Sequence, residues 1–470
     1  MKRRNFLISF LIGIVAFIFG YTIKNDGGNL IWERISLKNL MDDEENPEQS
    51  IHQEIEVLKS FTVNVLDHGA VGDGKSDDTL AIKAAWSFAL TTRRKLYFPG
   101  NDYRITDTLS GEPISIVGAG VGFTRLIFDK MKGKDGILFI SPSHVGTMGE
   151  VAHLSIIVKG EHGRFAIKTA DDSANYHKYR TKYSFHDLEF RGYNIQDVSS
   201  GFVYDYGWEC YLEIGDSWGV YIDRIDVIGT YNISNDPDSQ PNQTFLRLDA
   251  NSNILTARIN SVTTHGIKIG IEIGDKCFFM IDQCDIAHSY KGIITTGEAI
   301  YSEGRITDTL INSQYIGIHL KERSWTSISN VAISRHKKGY DHGLDWFGVY
   351  LNNVNKSWLT NIRSQADSSL LKFSGKHYGF YFKDCDGIAA NGLIPGGGLD
   401  YPIFNNNTSG ATFDGTNFQI SRGVAAFSFV NNSRYIQIGT FENHTDVPDF
   451  FADHSINKTT IEAYQKVSIP

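Results

Sequence analysis

The stretch Asp67-His-Gly-Ala-Val-Gly-Asp-Gly-Lys-Ser-Asp-Asp-Thr-Leu-Ala-Ile82 is the place from which this 470-residue chain is best read. It has the pattern of a strand exit, a glycine-rich turn and a helix start. Val63 and Val65, just before it, alternate with polar residues as in a short strand. Gly69, Gly72 and Gly74 suit backbone angles that a Cβ would penalise. Asp77 or Asp78 is placed to cap a helix from about Thr79 to Leu90, where a carboxylate meets orphan amides and the positive helix end. Ala81, Ala84, Ala85 and Phe88 lie at helical spacing and predict its buried stripe. The turn lacks the GxxxxGK[ST] spacing of a phosphate loop. As a calcium loop it lacks the ligand expected at the twelfth position.

Downstream, long amphipathic helices do not recur. Lys95-Leu-Tyr-Phe-Pro99 and Tyr103-Arg-Ile-Thr106 read as strands parted by a turn, and an alternating strand-helix fold is disfavoured. Two motifs then repeat. Gly-apolar-any-apolar occurs at Gly201, Gly219, Gly270, Gly317, Gly348 and Gly379, with a looser copy at Gly292. Asn or Asp beside branched apolar residues occurs at Asp187, Asp223, Asn260, Asp282, Asp308, Asn330, Asn361 and Asp384. Irregular spacing with regular content is the mark of a coil with loops inserted at its corners. A parallel β-helix explains both motifs. Glycine is expected to turn a corner, alternate apolar residues to point inward, and the Asn/Asp column to form a structural ladder at a repeated turn. The regular leucines of a horseshoe and the blade signature of a propeller are missing. Strand-like pieces over 405–470 are expected to close the coil, with the tail after Phe441 sealing its open end.

The order DHGAVGDGKSDDTLAIKAA, KLYFPGNDYRIT, ISIVGAGVGFTRLIF over Phe61 to Phe128 resembles the opening of the pectate-lyase-superfamily right-handed parallel β-helices. That group includes rhamnogalacturonase-like enzymes, polygalacturonases and phage tailspike depolymerases. The resemblance implies an all-β, right-handed, single-stranded parallel β-helix over 61–470, with the helix as an N-terminal cap and 61–128 as cap and first rungs. It also implies that the glycines and aspartates of the opening are structural. Thr264-His-Gly-Ile-Lys-Ile269 faintly resembles the Gly-His-Gly segment of polygalacturonases, and Gly304-Arg-Ile-Thr307 their Arg-Ile-Lys segment. The family's adjacent aspartate pair has no match, and Thr307 stands where that segment has lysine.

Glycine (45) and aromatic residues (Phe 29, Tyr 22, Trp 7) are plentiful and proline (10) is scarce, as suits many short strands and turns. The formal charge of −9, with no basic block beyond the N-terminus, argues against a nucleic-acid partner. Cys210, Cys277, Cys284 and Cys385 fit no zinc spacing and read as buried thiols. Residues 1–25 read as a membrane anchor or an export signal. Lys2, Arg3 and Arg4 precede an apolar run from Phe6 to Ile23, close to the roughly 20 residues of a membrane helix. Arg3-Arg4-Asn-Phe-Leu also resembles the bacterial twin-arginine signal. Residues 26–60 read as a spacer, with Ile51, Ile55 and Leu58 at the spacing of a short amphipathic helix.

If the Gly-apolar-any-apolar strands stack, their middle residues form one outward column: Tyr221, Glu272, Ile294, His319, Tyr350 and Tyr381, with Arg247 added from Phe245-Leu-Arg-Leu248. Tyrosine stacks on apolar sugar faces and bonds hydroxyls. A polysaccharide is therefore the expected partner. Glu272 and His319 are the expected catalytic acid/base pair, and Arg247, Tyr221, Tyr350 and Tyr381 the expected substrate contacts. Neither metal nor cofactor is assigned. The longest interval between motifs, around 188–260 and including Tyr204, Tyr206, Trp208, Glu209, Tyr211, Glu213, Asp216 and Trp218, is expected to form one wall of a groove. The expected function is cleavage of a polysaccharide, by hydrolysis or elimination, outside the cytoplasm or on a virion. The alternatives are a non-catalytic glycan adhesin and a structural appendage, with the outward column as a homotrimer contact. His265, His288 and His336 follow the ladder and mark a second place for proton transfer or metal binding.

Overall fold

The computed structural model describes residues 21–26, 29–34 and 61–470, apart from 170–178, 199–200, 249–252, 275, 297–302, 336–338, 368–372, 421–424, 444–450, 456–464 and 468–470. Most of the anchor and spacer segments, including the apolar run up to residue 20 and the helix at Ile51–Leu58, lies outside the described residues. What is described there is a unit by itself: an antiparallel hairpin, Tyr21–Asp26 with Asn29–Arg34. Among the described residues no helix is long and apolar enough to cross a membrane.

From Val63 onward the chain is a parallel β-helix with three faces. The first face runs from Lys95–Phe98 and Ser115–Gly118 to the leading halves of Lys182–Gly192, Gly219–Ile228 and Asn253–His265. It continues through Lys276–Asp282, Gly304–Thr307, Thr326–Arg335 and Asn355–Ala366. The trailing halves of the long strands form the second face. The third face stacks Gly163–Lys168, Trp208–Ile214, Thr244–Leu248, Ile269–Ile273 and the ends of Asp285–Thr295 and Leu310–Lys321. Trp346–Asn352, His377–Lys383, Tyr401–Asn406 and Phe427–Asn431 extend it. Strands of one face sit about 4.8 Å apart, so residues 22 to 37 positions apart in sequence become neighbours.

Alternation supplies the core. On the first face Phe185, Ile222, Ile259, Ile281, Ile306, Ile328 and Leu359 lie directly over one another, all buried. On the third, Leu212, Leu246, Ile271, Ile293, Ile318, Val349 and Phe380 do the same. All four cysteines are buried and unpaired with one another.

The corners belong to the second motif. Asp187, Asp308, Asn330 and Asn361 hold φ of 51, 47, 54 and 52° at the bend from first to second face. Asn and Asp tolerate this left-handed region, since their short side chains bond locally. The ladder is hydrogen-bonded from rung to rung: Asn361 Nδ2 donates to Asn330 Oδ1 at 3.3 Å, and Asn260 Nδ2 to Asp223 Oδ1 at 2.7 Å. Asp384 belongs to a different corner, between third and first faces, where Asn407 Nδ2 donates to it at 2.7 Å.

The glycines do another job from the one expected of them. Gly270, Gly292, Gly317, Gly348 and Gly379 sit within the third-face strands rather than at corners. A Cβ on Gly292 would come within 2.4 Å of the Gly317 carbonyl oxygen, and one on Gly317 within 2.6 Å of that of Gly348. The column exists because successive rungs leave no room there. Gly201 is not a rung at all; it opens one arm of an antiparallel hairpin, Ile195–Val198 with Gly201–Tyr204.

At the N-terminal end of the coil, Gly69, Gly72 and Gly74 all have positive φ. Helix α1 spans Thr79–Thr92 and packs against the first strands. Asp77 Oδ1 accepts from the Thr79 amide at 3.1 Å, whereas Asp78, almost fully buried, clamps the glycine turn by accepting from the amides of Val71 and Gly72 at 2.6 and 3.2 Å. The buried stripe is Ile82, Ala85, Trp86 and Ala89. Ala84 and Phe88 face outward, because Trp86 is the larger apolar group and its indole Nε1 donates to the Glu112 carbonyl.

Candidate functional site on the third face

The register of the third face places Glu213, Arg247, Glu272, Ile294, His319, Tyr350, Tyr381 and Phe404 on successive rungs at one lateral position. Five of the six candidate site residues therefore share one strip. Tyr221 does not. It pairs with Ser184 and Arg258 on the first face. Its glycine motif opens a long strand that bends from first to second face, and the same four-residue pattern serves either wall.

Arg247 lies between two carboxylates, with Nε 2.9 Å from Glu272 Oε2 and Nη1 3.2 Å from Glu213 Oε2. Its charge is thus engaged within the protein, and its guanidinium is held firmly protonated despite burial. Glu213, Trp208 and Tyr211, expected on a groove wall, are buried in a rung of this face, and Asp216 is buried just beyond it.

His319 stacks flat on Tyr350, with ring centroids 4.5 Å apart and planes 6° apart. Its Nε2 is shielded from solvent and has no hydrogen-bond partner among the described residues. Burial, with the charges of Lys291 and Lys321, lowers its pKa to about 4. The ring is therefore a neutral imidazole at ordinary pH. Burial likewise pushes Tyr350 up to about 12, which keeps its hydroxyl a hydrogen-bond donor.

A second outward column runs beside the first: Ile269, Lys291, Ile316, Phe347, Tyr378 and Tyr401. Each stands immediately before the Gly (or Pro402) of its rung. Two consecutive inward positions follow, so outward residues fall three apart. Lys291 is half-buried, and burial lowers its pKa. Phe347 stacks on Tyr378 at 5.0 Å and Tyr378 on Tyr401 at 4.8 Å. Tyr350 and Tyr381 lie 4.9 Å apart, and Tyr381 and Phe404 5.1 Å. The strip is charged at one end and aromatic at the other, with His319 at the junction.

A wall borders the strip where third-face strands begin. Tyr231 and Ile233 are buried against Tyr290, and the Tyr340 amide donates to the Ile233 carbonyl at 2.8 Å. Beside Arg247 a cleft of about 500 Å³ opens between Phe165, Glu209 and Pro241–Gln243. Within the interval 188–260 the wall thus comes from residues 229–243, joined by Tyr340, and not from the buried Trp208, Tyr211, Glu213 and Asp216.

Other candidates lie elsewhere. His265 Nε2 and His288 Nδ1 are 3.2 Å apart at the end of the second face, and His336 lies outside the described residues. Arg305 is on the first face, so the two segments resembling polygalacturonase motifs do not meet. Among the described residues, His153, His186 and Asp187 bring potential metal ligands within 4.8 Å of one another. The Arg224 fork takes both Asp187 oxygens at 2.7 and 2.9 Å, so this cluster reads as an ion-pair ladder.

Residues 62–207 match the family described as rhamnogalacturonase A/epimerase, pectate lyase-like. No curated protein sequence matches the chain. Among solved structures, the A-module of a mannuronan C-5 epimerase of Azotobacter vinelandii is similar, with 14% identity over 85% of this chain and 100% of that one, at a TM-score of 0.48. The Dettilon tailspike protein has 13% identity over 90% of this chain and 75% of its own, at 0.40. The surface protein and adhesin PfbA of Streptococcus pneumoniae has 12% identity over 87% and 100%, at 0.37.

Proposed function

We propose that this chain acts on a polysaccharide outside the cytoplasm, and that the third-face strip cleaves a uronate-containing polymer by elimination. The observation that carries the proposal is His319: a neutral, half-buried imidazole between a lysine and an aromatic platform. A neutral imidazole is a proton acceptor. Hydrolysis needs a carboxylic acid kept protonated, whereas Glu272 is tied to Arg247.

In this reading Tyr350 and Tyr381 hold the sugar faces. Lys291, rather than Arg247, neutralises the substrate carboxylate, because the Arg247 guanidinium is already shared by two glutamates. His319 Nδ1, the ring nitrogen that is not shielded as Nε2 is, takes the proton α to that carboxylate. The electron pair delocalises into the carboxylate as an enolate, which Lys291 stabilises. Collapse of the enolate breaks the C4–O bond, and the departing alkoxide takes a proton from water.

The test is incubation of the purified chain with uronate and neutral polysaccharides, following unsaturated ends by ultraviolet absorbance and new reducing ends separately. Unsaturated ends that vanish in His319→Ala and Lys291→Met support elimination. New reducing ends without unsaturation return the site to hydrolysis. The aromatic end, which continues past His319 through Tyr381 and Phe404, favours as second reading an adhesin that binds the same polymer without turnover. Glycan binding with neither product would establish it. A homotrimer joined through this face is the remaining proposal; sedimentation of wild type beside Tyr381→Glu tests it.

A further inference from the structure

The first face carries a groove that the third-face reading does not use. It measures about 490 Å³ and is lined by Phe278, Met280, Arg305, Ser327, Trp325 and Trp358, with Glu303 at its edge. Its size is that of small-ligand clefts, about 300–1,000 Å³. Phe278, Met280, Trp325 and Trp358 are 42, 44, 48 and 45% exposed. Such apolar area gathered in one place marks a binding surface.

Two features say what kind. First, the tryptophans form a platform, with ring centroids 6.0 Å apart on neighbouring rungs. Trp325 is held there at φ 58°, a conformation unfavourable for a bulky residue. Its counterparts on later rungs of the same bridge series, Lys356, Gly387, Gly410 and Tyr435, share the positive φ. Second, Arg258, Met280 and Arg305 are consecutive in one outward column. Both arginines are exposed, their backbones roughly 10 Å apart at two strand spacings, and neither has an ion pair or hydrogen bond among the described residues. Lys356 Nζ adds a third cation, 5.0 Å from the Trp325 ring centre. Three cations against Glu303 form a local positive field on a chain of net charge −9.

We propose that this groove is a second saccharide-binding site, distinct from the third-face strip, and that it holds an acidic oligosaccharide. Trp325 and Trp358 stack on the C–H faces of pyranose rings, while Arg258 and Arg305 pair with carboxylate or sulfate groups along the same strand. A second copy of the chain fits less well. A symmetric contact sets like patches against each other, and would bury uncompensated guanidiniums. The function is retention: the polymer is held on one wall while another part of it occupies the strip on a different wall.

The test titrates the full chain with oligogalacturonates and with sulfated carrageenan oligosaccharides, using cello-oligosaccharides as the neutral control, and reads tryptophan emission. Trp86, Trp208 and Trp346 are buried and Trp218 is partly buried, so loss of the change in Trp358→Ala is what assigns it to the exposed pair rather than to Trp218 or Trp32. The expected result is quenching by at least one acidic series, at least tenfold tighter than by the neutral one and weakening with salt. Trp358→Ala and Arg305→Glu, both surface changes, should each weaken it at least tenfold with far-ultraviolet circular dichroism intact. Tyr350→Ala and Tyr381→Ala should leave it unchanged, which separates its failure from failure of the third-face site. Binding by one acidic series alone identifies the anionic group. The proposal is overturned if neither acidic series quenches, if quenching survives Trp358→Ala and Arg305→Glu, or if wild type sediments as an oligomer that Trp358→Ala dissociates.

Discussion

Lowering the pH should expose the cost of burying His319. An imidazole in the unfolded chain takes up a proton near 6.5, whereas in the folded protein it does so at about 4. Between these values the unfolded state binds more protons, so stability falls as pH drops from about 6.5 to 4 and is unaffected above about 7. The full gap corresponds to about 3 kcal/mol at roughly 1.4 kcal/mol per pH unit. The ring keeps some exposure, which trims the expected loss to about 2–3 kcal/mol. The assay is a histidine-selective NMR titration of the full chain, with His319→Gln identifying the resonance. Urea unfolding of both proteins at pH 7 and 4.5 accompanies it. The His319 resonance should titrate near 4. Lys291→Met should move that midpoint upward, since the Lys291 charge is one of its causes. Wild type should lose about 2 kcal/mol more than His319→Gln between the two pH values. A midpoint near 6.5, or identical pH dependence in the two proteins, would refute the claim that burial holds this imidazole neutral, and with it the argument for a proton acceptor.

Arg247→Met removes the guanidinium shared by Glu213 and Glu272 and should destabilise by about 2–4 kcal/mol; adding Glu213→Gln and Glu272→Gln should recover most of that loss in urea unfolding. Asn361→Ala should cost about 1–2 kcal/mol for the left-handed backbone plus about 1 kcal/mol for the bond to Asn330, whereas Asn361→Gly should lose only the bond; the two melting curves separate these. Gly292→Ala drives a methyl to within 2.4 Å of the Gly317 oxygen and should cost about 1–3 kcal/mol, with loss of any third-face activity, because the rungs of Lys291 and His319 are prised apart.

The coil itself was legible because its two determinants leave sequence traces. Apolar alternation appears as Ile259, Ile281, Ile306 and Ile328, and the left-handed corner appears as Asp308, Asn330 and Asn361. What each glycine was for did not show. A residue demanded by a positive φ and one demanded by a carbonyl 2.4–2.7 Å from its missing Cβ are written with the same letter. The same ambiguity misplaced Tyr221, since Gly219-Val-Tyr-Ile and Gly348-Val-Tyr-Leu serve different walls. Only pairing partners tell them apart. The helix stripe was misread for a simpler reason: Trp86 outweighs Phe88 as a buried group and has a carbonyl waiting for its indole N–H.

The strip shows where reading residues one at a time runs out. Arg247, Glu272, His319, Tyr350 and Tyr381 were each visible as outward residues, and the register does align them. Their roles depend on neighbours supplied by other rungs. Arg247 looks like a substrate clamp until Glu213, 34 residues earlier, is found on its other side. Lys291 looks like a corner residue until the position before each glycine is recognised as outward. A signal for it was present: Lys291-Gly, Ile316-Gly, Phe347-Gly and Tyr378-Gly repeat the same two-residue frame. Reading that frame doubles the strip from one column to two. It also exchanges the cation assigned to substrate, because a guanidinium already neutralised by two carboxylates attracts an anion less than a half-buried ammonium that has no ion pair among the described residues. If Arg247→Met abolished uronate binding while Lys291→Met left it intact, the stacking would stand but the electrostatic argument drawn from it would be wrong.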